Sequence, residues 1–182
     1  MGGNVMSTLK SERVTLRAVS RRDFPFLLKW VNDPEVVQYL RFYLPITELA
    51  EEKWFEKISH SEKDVVFVIE VIVDDGVKPI GTCGLHEINM KDRNATFGIS
   101  IGDKEFWNGG YGTEATNLIV RYGFEQLNLH RINSTVYDFN EYSLKMHHKC
   151  GFQEEGRQRE AAFKNNHYMD VITLGLLKKE WR

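Results

Sequence analysis

Apolar and polar residues in the first third of the chain follow a strand period and then a helical one. They alternate over residues 13–19, which predicts a half-buried strand. Apolar residues then recur at helical spacing over 24–31 and again over about 47–60. Asp33-Pro34 lies between these two stretches and suits the start of a further helix, because proline is favoured at the first helical position.

The next forty residues return to the strand period. Residues 65–73 are mostly β-branched and apolar, 79–88 form a second apolar stretch, and 95–101 alternate apolar with polar side chains. The turn Asp74-Asp75-Gly76 and the polar connection 89–92 are both short. Consecutive strands with short connections pair with each other, so this part predicts an antiparallel meander of three strands.

The last third combines both periods and predicts a helix, a strand, a shorter helix and two final strands. In chain order these elements cover 113–129, 131–137, 141–149, 152–159 and 168–177. Gly151 follows the shorter helix, where a left-handed residue is favoured. We therefore predict one domain over 1–182, of mixed α/β (α+β) class. Its central, mostly antiparallel sheet has about seven strands, flanked by about four helices, with a parallel crossover only around the helix that begins at 113.

Composition and charge exclude several classes of function. The 182 residues are 42% hydrophobic and 27% charged, and the net charge of −2 lacks the basic surplus that nucleic-acid binding requires. The longest apolar run, 65–73, is too short to cross a bilayer, and 1–9 lack the apolar stretch of a signal peptide. We expect a cytoplasmic protein, with neither nucleic acid nor membrane as partner, in which Cys83 and Cys150 are buried structural thiols.

A glycine-rich loop separates the strand that ends at Ile101 from the helix that begins at Thr113. Residues 106–115 read FWNGGYGTEA, with three glycines in four positions. Glycines let backbone N–H groups approach a ligand closely, and the following helix adds unpaired N–H groups and the positive end of its dipole. The loop therefore predicts a phosphate or diphosphate site, with a plain glycine turn as the alternative.

Two other phosphate-binding motifs need to be weighed against this loop. Gly110-x-Gly112-x-x-Ala115 also fits a dinucleotide fingerprint, and Asp138 follows the next strand, where a ribose-binding acid could lie. That motif belongs on the first strand of a repeating βαβ series, whereas a meander precedes it here and a hairpin ends the chain. A nucleotide-dependent oxidoreductase is thus the weaker alternative, and no Gly-Lys-Ser/Thr supports a kinase-type phosphate loop.

The chain resembles the GNAT superfamily of acyl-CoA-dependent N-acyltransferases over nearly its whole length. It is most similar to the branch that contains RimJ/RimL-type ribosomal-protein and spermidine acetyltransferases. The resemblance rests on seven segments in the family's order: Arg17-Ala18, Trp30-x-Asn32-Asp33-Pro34-Glu35-Val36, Ile80-Gly81 with Gly84-Leu85, Gly110 to Ala115, Asn140-x-x-Ser143, Gly151-Phe152 with Glu155-Gly156, and Asp170.

The resemblance implies transfer of an acetyl group from acetyl-CoA to a primary amine, by direct attack within a ternary complex. The amine could be a protein N-terminus, a polyamine or another small molecule. The implied cofactor-binding residues are Ile99, Ile101, Trp107, Asn108, Gly109, Gly110, Tyr111, Gly112, Thr113, Asn140 and Ser143. Trp107 departs from the family loop, which usually has glutamine or arginine there. Asn140 could instead be a helix cap, and Ser143 a first-turn helix residue.

The resemblance also assigns catalytic roles. Many members have a carboxylate at the position of Thr96, and since threonine cannot act as a general base, Glu87 and His86 are the candidates for that role. Ser143 and His147 are the candidates for the acid that protonates the departing thiolate, with Tyr142 third. No metal site is expected, because the adjacent His147 and His148 point about 100° apart on a helix.

The acceptor side carries no fixed motif. Arg41, Tyr43, Trp54 and 157–159 could line it, and Glu87, Asp74 and Asp75 could attract a polyamine, although a near-neutral chain provides only a weak field. Because the usual strand carboxylate is missing, the chain could instead be a non-catalytic acyl-CoA sensor or a partner-binding module. Exposed apolar strand residues near the C-terminus would permit a homodimer.

Overall fold

The computed structural model describes residues 9–74 and 76–181. These residues form one mixed sheet of eight strands in the spatial order β1-β2-β3-β4-β5-β6-β8-β7. In chain order the strands are β1 Leu9–Lys10, β2 Val14–Ala18, β3 Val65–Val73, β4 Gly76–Asn89, β5 Asn94–Ile101, β6 Arg131–Tyr137, β7 Gln153–Lys164 and β8 His167–Leu177. All neighbouring strands pair antiparallel except β5 and β6.

Five α-helices in the described ranges flank the sheet: α1 Phe24–Val31, α2 Pro34–Val37, α3 Glu48–Ser59, α4 Tyr111–Arg121 and α5 Glu141–Lys149. Side chains begin two of them, since Asp33 accepts a hydrogen bond from the amide of Glu35 and Thr47 accepts one from the amide of Ala50. None of the helices in the described part of the chain is long and apolar enough to cross a membrane.

The main core lies between the sheet and helix α4. Ala115, Ile119 and Val120 on α4 are fully buried, as are Leu16 on β2 and Ile80 on β4. A smaller cluster holds helices α1 and α2 together around Leu27, Trp30 and Val36. Apolar positions at helical spacing on α4 thus meet alternating apolar positions of the strands, which produces a two-layer packing.

The predicted fold class is confirmed, with several differences in detail. The sheet gains a two-residue strand, β1, which is too short to show a period in the sequence. The helix predicted over 113–129 begins at Tyr111 and, after Arg121, continues as one wider π-turn over Tyr122–Gln126. The predicted helix start at Asp33-Pro34 is realised as the single turn of α2.

The final hairpin is longer than predicted. Strand β7 extends from Gln153 to Lys164, and only Asn165 and Asn166, both with positive φ, connect it to β8. Every residue of 153–161 is exposed, so this edge strand shows no alternation that could mark its end. Of the predicted turn at 74–76, Asp75 lies outside the described residues, as do residues 1–8, on which the signal-peptide prediction rests.

The two cysteines occupy the core, as predicted. Cys83 on β4 is 2% exposed and Cys150, just after α5, is 6% exposed, and both are free thiols. Burial raises the pKa of each thiol, which keeps it protonated and unreactive at neutral pH.

Candidate active site

A cleft opens where strands β5 and β6 part. The two strands pair in parallel only from Asn94, Ala95 and Thr96 on β5 to Arg131, Ile132 and Asn133 on β6. Beyond this point the β6-facing edge of β5 has no neighbouring strand. The cleft between them opens into a cavity of about 1530 Å³ lined by residues of the sheet, the glycine loop and helices α1, α3 and α5.

The backbone of β5 presents hydrogen-bonding groups to this cleft. Ser134 Oγ lies 3.3 Å from the Phe97 carbonyl oxygen, and the Trp107 indole Nε1 donates to the Ile101 carbonyl oxygen over 2.7 Å. In an antiparallel strand alternate residues direct both N–H and C=O to the same side, so Ile99 faces the cleft as Phe97 and Ile101 do. An extended ligand can therefore form strand-like hydrogen bonds with Ile99.

The glycine loop ends at the N-terminus of α4, beside the open edge of β5. Gly110 has a φ of 83° and precedes the first residue of the helix, and Glu114 donates its amide to the Gly110 carbonyl over 3.1 Å. The amides of 108–113 make no backbone hydrogen bond within the described chain. Because α4 begins at Tyr111, the amides of Tyr111, Gly112 and Thr113 belong to its first turn, where an anion is favoured.

Arg13 fixes the position of this loop. Its guanidinium donates to the carbonyl oxygen of Gly109 over 3.1 Å and to Glu114 Oε1 over 2.6 Å, and it lies 4.6 Å from the centre of the Tyr111 ring. Hydrogen bonds from Ser11 and Arg13 outweigh the burial that raises the pKa of Glu114, so its pKa is lowered and the carboxylate stays charged. No local pattern in the sequence predicts this contact, because Arg13 and Glu114 are about a hundred residues apart.

Nine of the eleven predicted cofactor-binding residues line the cavity: Ile99, Ile101, Trp107, Asn108, Gly110, Gly112, Thr113, Asn140 and Ser143. Gly109 in the loop and Tyr111 at the start of α4 contact Arg13 and are not part of the cavity wall. Asn140 is also the N-cap of α5, because its side chain accepts the amide of Ser143 over 3.2 Å. The position of Asn140 is thus compatible with both predicted functions, contact with the cofactor and capping of α5.

Ser143 and His147 lie one turn apart on the same face of helix α5 and are in contact. His147 is 2% exposed, and its Nδ1 lies 2.8 Å from the Ser143 carbonyl and 3.4 Å from Ser143 Oγ. A carbonyl only accepts, so Nδ1 carries the proton, and Nε2 accepts from Ser134 Oγ over 2.9 Å. Burial lowers the pKa of His147 to about 4, which leaves the ring neutral at physiological pH.

The buried neutral ring of His147 predicts a pH-dependent stability. Its folded pKa of about 4 lies below the ordinary 6.5, so between these values the unfolded chain binds more protons than the folded one. The free energy of unfolding should fall by about 2 kcal/mol between pH 7 and pH 5 through this residue alone. Urea unfolding at both pH values should show a smaller fall in His147→Gln, whereas His130→Gln, at an exposed histidine elsewhere on the surface, should keep the wild-type dependence. Equal pH dependence in all three proteins would contradict the assignment.

His86 and Glu87 lie on strand β4 beside the cleft. His86 is the cross-strand partner of Thr96, and Glu87 follows it with a positive φ of 52° at an irregularity in the strand. Thr96 Oγ1 donates to Glu87 Oε2 over 3.2 Å, while His86 Nδ1 lies 3.0 Å from Asp64 Oδ1. Both candidates for the base therefore line the cavity, together with an aspartate that the sequence did not single out.

The structure brings only part of the predicted acceptor side to the cavity. Arg41, which donates to Thr135 Oγ1 over 2.9 Å, and Trp54 line it. Tyr43 is 84% exposed and is not part of the cavity wall, and Arg157 binds Asp170 on the final hairpin. Asp74 is not part of the cavity wall, and Asp75 lies outside the described residues.

One lining residue, Glu51, was missed by the sequence analysis. It lies on α3 and is only 5% exposed, although it stands within a run of charged residues that reads as a solvated helix face. No signal in the sequence separates it from its neighbours Glu48 and Glu52, because its burial results from the packing of α3 over the cavity.

The geometry of the cleft suits an extended ligand that carries a diphosphate. Unpaired amides at the start of α4 suit a diphosphate, the open edge of β5 suits an extended arm, and Ser143 lies on the next helix beyond the parted strands. A family model described as an acetyltransferase (GNAT) domain matches residues 13–153. The chain belongs to this family.

Relatives and solved structures agree with this assignment. The uncharacterized N-acetyltransferase p20 of Bacillus licheniformis is 32% identical over 178 residues, or 97% of this chain and 99% of that protein. The spermidine N(1)-acetyltransferase of Vibrio cholerae serotype O1 is 32% identical over 172 residues, or 94% of this chain and 96% of that one. The crystal structure of spermidine N-acetyltransferase from Vibrio cholerae in complex with CoA and spermine has a TM-score of 0.84 at 31% identity, covering 93% of this chain and 98% of that one.

The protein is thus an N-acetyltransferase that uses acetyl-CoA to acetylate an amine, as the resemblance implied. The oxidoreductase alternative is wrong: the glycine loop follows an antiparallel meander, and the sheet contains a single parallel pairing instead of a βαβ series.

Proposed function

We propose that the acceptor is a small polyamine, that is, an amine with at least one further ammonium group besides the one that is acetylated. The observation that carries the proposal is the largely buried side chain of Glu51, which bears a carboxyl group in the wall of the cavity. The similarity to spermidine acetyltransferases over more than nine-tenths of the chain supports it.

The environment of Glu51 leaves it without a charged partner. Its side chain forms no hydrogen bond or ion pair with any residue that the structure describes, and burial raises the pKa of the carboxyl group. A buried carboxylate is costly unless a cation or hydrogen-bond donors neutralise it. An ammonium group of the substrate would supply both the charge and the donors, so the acceptor completes this part of the site.

A protein N-terminus fits this part of the cavity less well. An α-amino group is the only cation that every peptide offers at its N-terminus, and it is consumed in the reaction. A polyamine keeps one or two charges remote from the reacting nitrogen, at a distance fixed by its methylene chain. Recognition of a remote charge therefore distinguishes polyamines from peptides and from simple monoamines.

The reaction requires two proton transfers around one acyl transfer. The amine nitrogen attacks the thioester carbonyl, the C–N bond forms, the C–S bond breaks, and the sulfur leaves as a thiol once it gains a proton. We assign the donation of that proton to Ser143. Because His147 Nδ1–H points at the carbonyl and hydroxyl oxygens of Ser143, the Ser143 hydroxyl hydrogen is free to turn toward the cleft. His147 is then a positioning residue, and its neutral form is the one required.

Replacing Glu51 by glutamine tests the proposed acceptor. Loss of a buried charge-assisted hydrogen bond should raise KM for spermidine about 30-fold, while KM for acetyl-CoA stays unchanged. Initial rates of thiol release should be measured with spermidine, putrescine, propylamine and a peptide with a free N-terminus. For propylamine, which has no second charge, the variant and the wild type should have equal kcat/KM.

Glu52→Gln is the matched control, because Glu52 lies next in the sequence but binds Arg21 outside the cavity wall. It should behave as the wild type with every amine. Preference of the wild type for the peptide or for propylamine over both polyamines would overturn the proposal. So would a loss in Glu51→Gln that is equal for propylamine and spermidine.

A further inference from the structure

The acceptor amine must lose a proton before it is acetylated, and the family's usual position for the base does not identify the residue that accepts this proton. A primary alkylamine is almost entirely protonated at neutral pH, so a base in the site increases the rate. The family's usual carboxylate position is occupied by Thr96, whose hydroxyl cannot serve. Any base must therefore come from a neighbouring position in the cleft.

His86 stands directly across from Thr96 in the β4–β5 pairing. Two glycines provide space for its ring. A Cβ atom at Gly84 would lie 3.3 Å from His86 Nε2, and one at Gly98 would lie 3.7 Å from Cδ2. The imidazole thus rests over the backbone of β4 and β5 at the cavity wall, one strand away from the usual position of the carboxylate.

Asp64 fixes the tautomer of this imidazole. Its Oδ1 lies 3.0 Å from His86 Nδ1, and its Oδ2 accepts from Ser61 Oγ over 2.7 Å. Burial raises the pKa of Asp64, but the hydrogen bonds from Ser61 and His86 outweigh it and hold the pKa below the ordinary value. An ionised carboxylate only accepts, so the His86 Nδ1 carries a proton and Nε2 of the neutral ring has a free lone pair.

The irregularity in β4 brings these residues together. The register shifts after His86, Glu87 adopts a φ of 52°, and Ile88 donates its amide to the Lys63 carbonyl over 2.9 Å. This last bond attaches β4 to the segment that precedes β3, and Asp64 is the next residue of that segment. Bulges of this kind redirect side chains and are frequent beside active sites.

We propose that His86 Nε2 is the general base that removes a proton from the acceptor ammonium, and that Asp64 is a positioning residue that holds the ring and stabilises its protonated form. The N–H bond of the ammonium breaks, its electron pair stays on nitrogen for the attack on the thioester, and the proton leaves to solvent from Nε2 after product release. The inference rests on the acetyltransferase activity and is independent of which amine is the acceptor.

Other charged groups share the cavity and must be considered in any pH profile. Those nearest in the fold are Glu87, bonded to Thr96, and Lys63, adjacent to Asp64. The remaining titratable or charged residues in the wall are Arg41, Glu51, Lys57, Tyr39, Cys83, Tyr137, Tyr142, Lys145, His147 and Lys149. Glu87 is the rival base, since it lies next to His86 and its second carboxylate oxygen is free.

The test compares kcat against pH for His86→Gln, Asp64→Asn and Glu87→Gln at saturating acetyl-CoA and spermidine. His86→Gln should lower kcat at pH 7 by about 10²-fold, and the deficit should shrink as pH rises because the free amine needs no base. Asp64→Asn should lower kcat by about 10-fold, since the imidazolium formed in the step loses its carboxylate partner, and its deficit should shrink as pH rises, as that of His86→Gln does.

An amine of low basicity provides a second readout. Trifluoroethylamine is largely unprotonated at pH 7, so wild type and His86→Gln should acetylate it at rates within about threefold of each other. His130→Gln, an exposed histidine outside the cavity, should match the wild type throughout. A CoA-induced rise in melting temperature equal to that of the wild type should show that each variant is folded.

Two outcomes would overturn the assignment. One is a larger loss in Glu87→Gln than in His86→Gln, which transfers the role to Glu87. The other is a deficit in His86→Gln that is the same at every pH and with both amines, which makes the histidine structural. Neither outcome bears on the polyamine proposal, because that proposal is read from KM differences between amines.

Discussion

Gly110→Val should lower kcat/KM for acetyl-CoA by about 10³-fold. Gly110 has a φ of 83°, and valine is among the residues least able to adopt it. The loop must then rearrange, which moves the amides before and within the first turn of α4. Arg13 Nη2 lies only 3.2 Å from the position of the new Cβ, so the contact that holds the loop is also disturbed.

Binding of CoA by calorimetry and initial rates at varied acetyl-CoA would measure this effect. Gly156→Val is the matched control, because no atom lies within 4 Å of a Cβ at that position on β7 and its φ is not positive. The control should retain wild-type affinity. If Gly110→Val bound CoA as tightly as the wild type, the backbone amides of this loop would not be the diphosphate site.

Ser143→Ala should lower kcat by about 10³-fold with little change in KM for either substrate, which is within the usual range for loss of a general acid. The Ser143 backbone amide remains bound to Asn140, so helix α5 keeps its cap. The methyl group cannot donate a proton, and the thiolate must then leave unprotonated or wait for water. Single-turnover rates with saturating substrates measure the chemical step directly.

Ser143→Thr keeps the hydroxyl group and should recover most of the lost activity. Tyr142→Phe distinguishes the other donor on the same helix, since Tyr142 also lines the cavity but is 66% exposed. A larger loss in Tyr142→Phe than in Ser143→Ala would assign the acid to the tyrosine. Failure of Ser143→Thr to recover activity would indicate that the serine is needed for its size.

The elements of the fold follow from periodicity because each buries one face. Helix α4 and strands β3 to β6 have regular apolar spacing, and their core residues match those of the structure. Strand β7 has no regular apolar spacing, because both of its faces are exposed over 153–161 and charged residues cover this edge of the sheet. Its true length depends on pairing with β8, which a local pattern cannot reveal.

The candidate site likewise contains residues that a local sequence pattern predicts and residues that it does not. The glycine loop was predictable because the backbone conformation of Gly110 restricts which residue can stand there. The Asp64–His86 pair was not, because its two members are twenty-two residues apart and meet only through the β3–β4 pairing and the bulge after His86. Glu51 was hidden for a related reason, since the fold converts one position of a charged helix face into a buried one.

Trp107 replaces the residue that the family usually has at the start of the cofactor loop, and its indole donates to the Ile101 carbonyl while its ring lies edge-on against Tyr39. The loop is thereby fastened to the end of β5 within the folded chain. The conformational entropy of this segment is consequently lost during folding and not during ligand binding. Preorganisation of this kind favours tight binding. At the position where the family usually has glutamine or arginine, this chain thus has a residue that makes the loop more rigid.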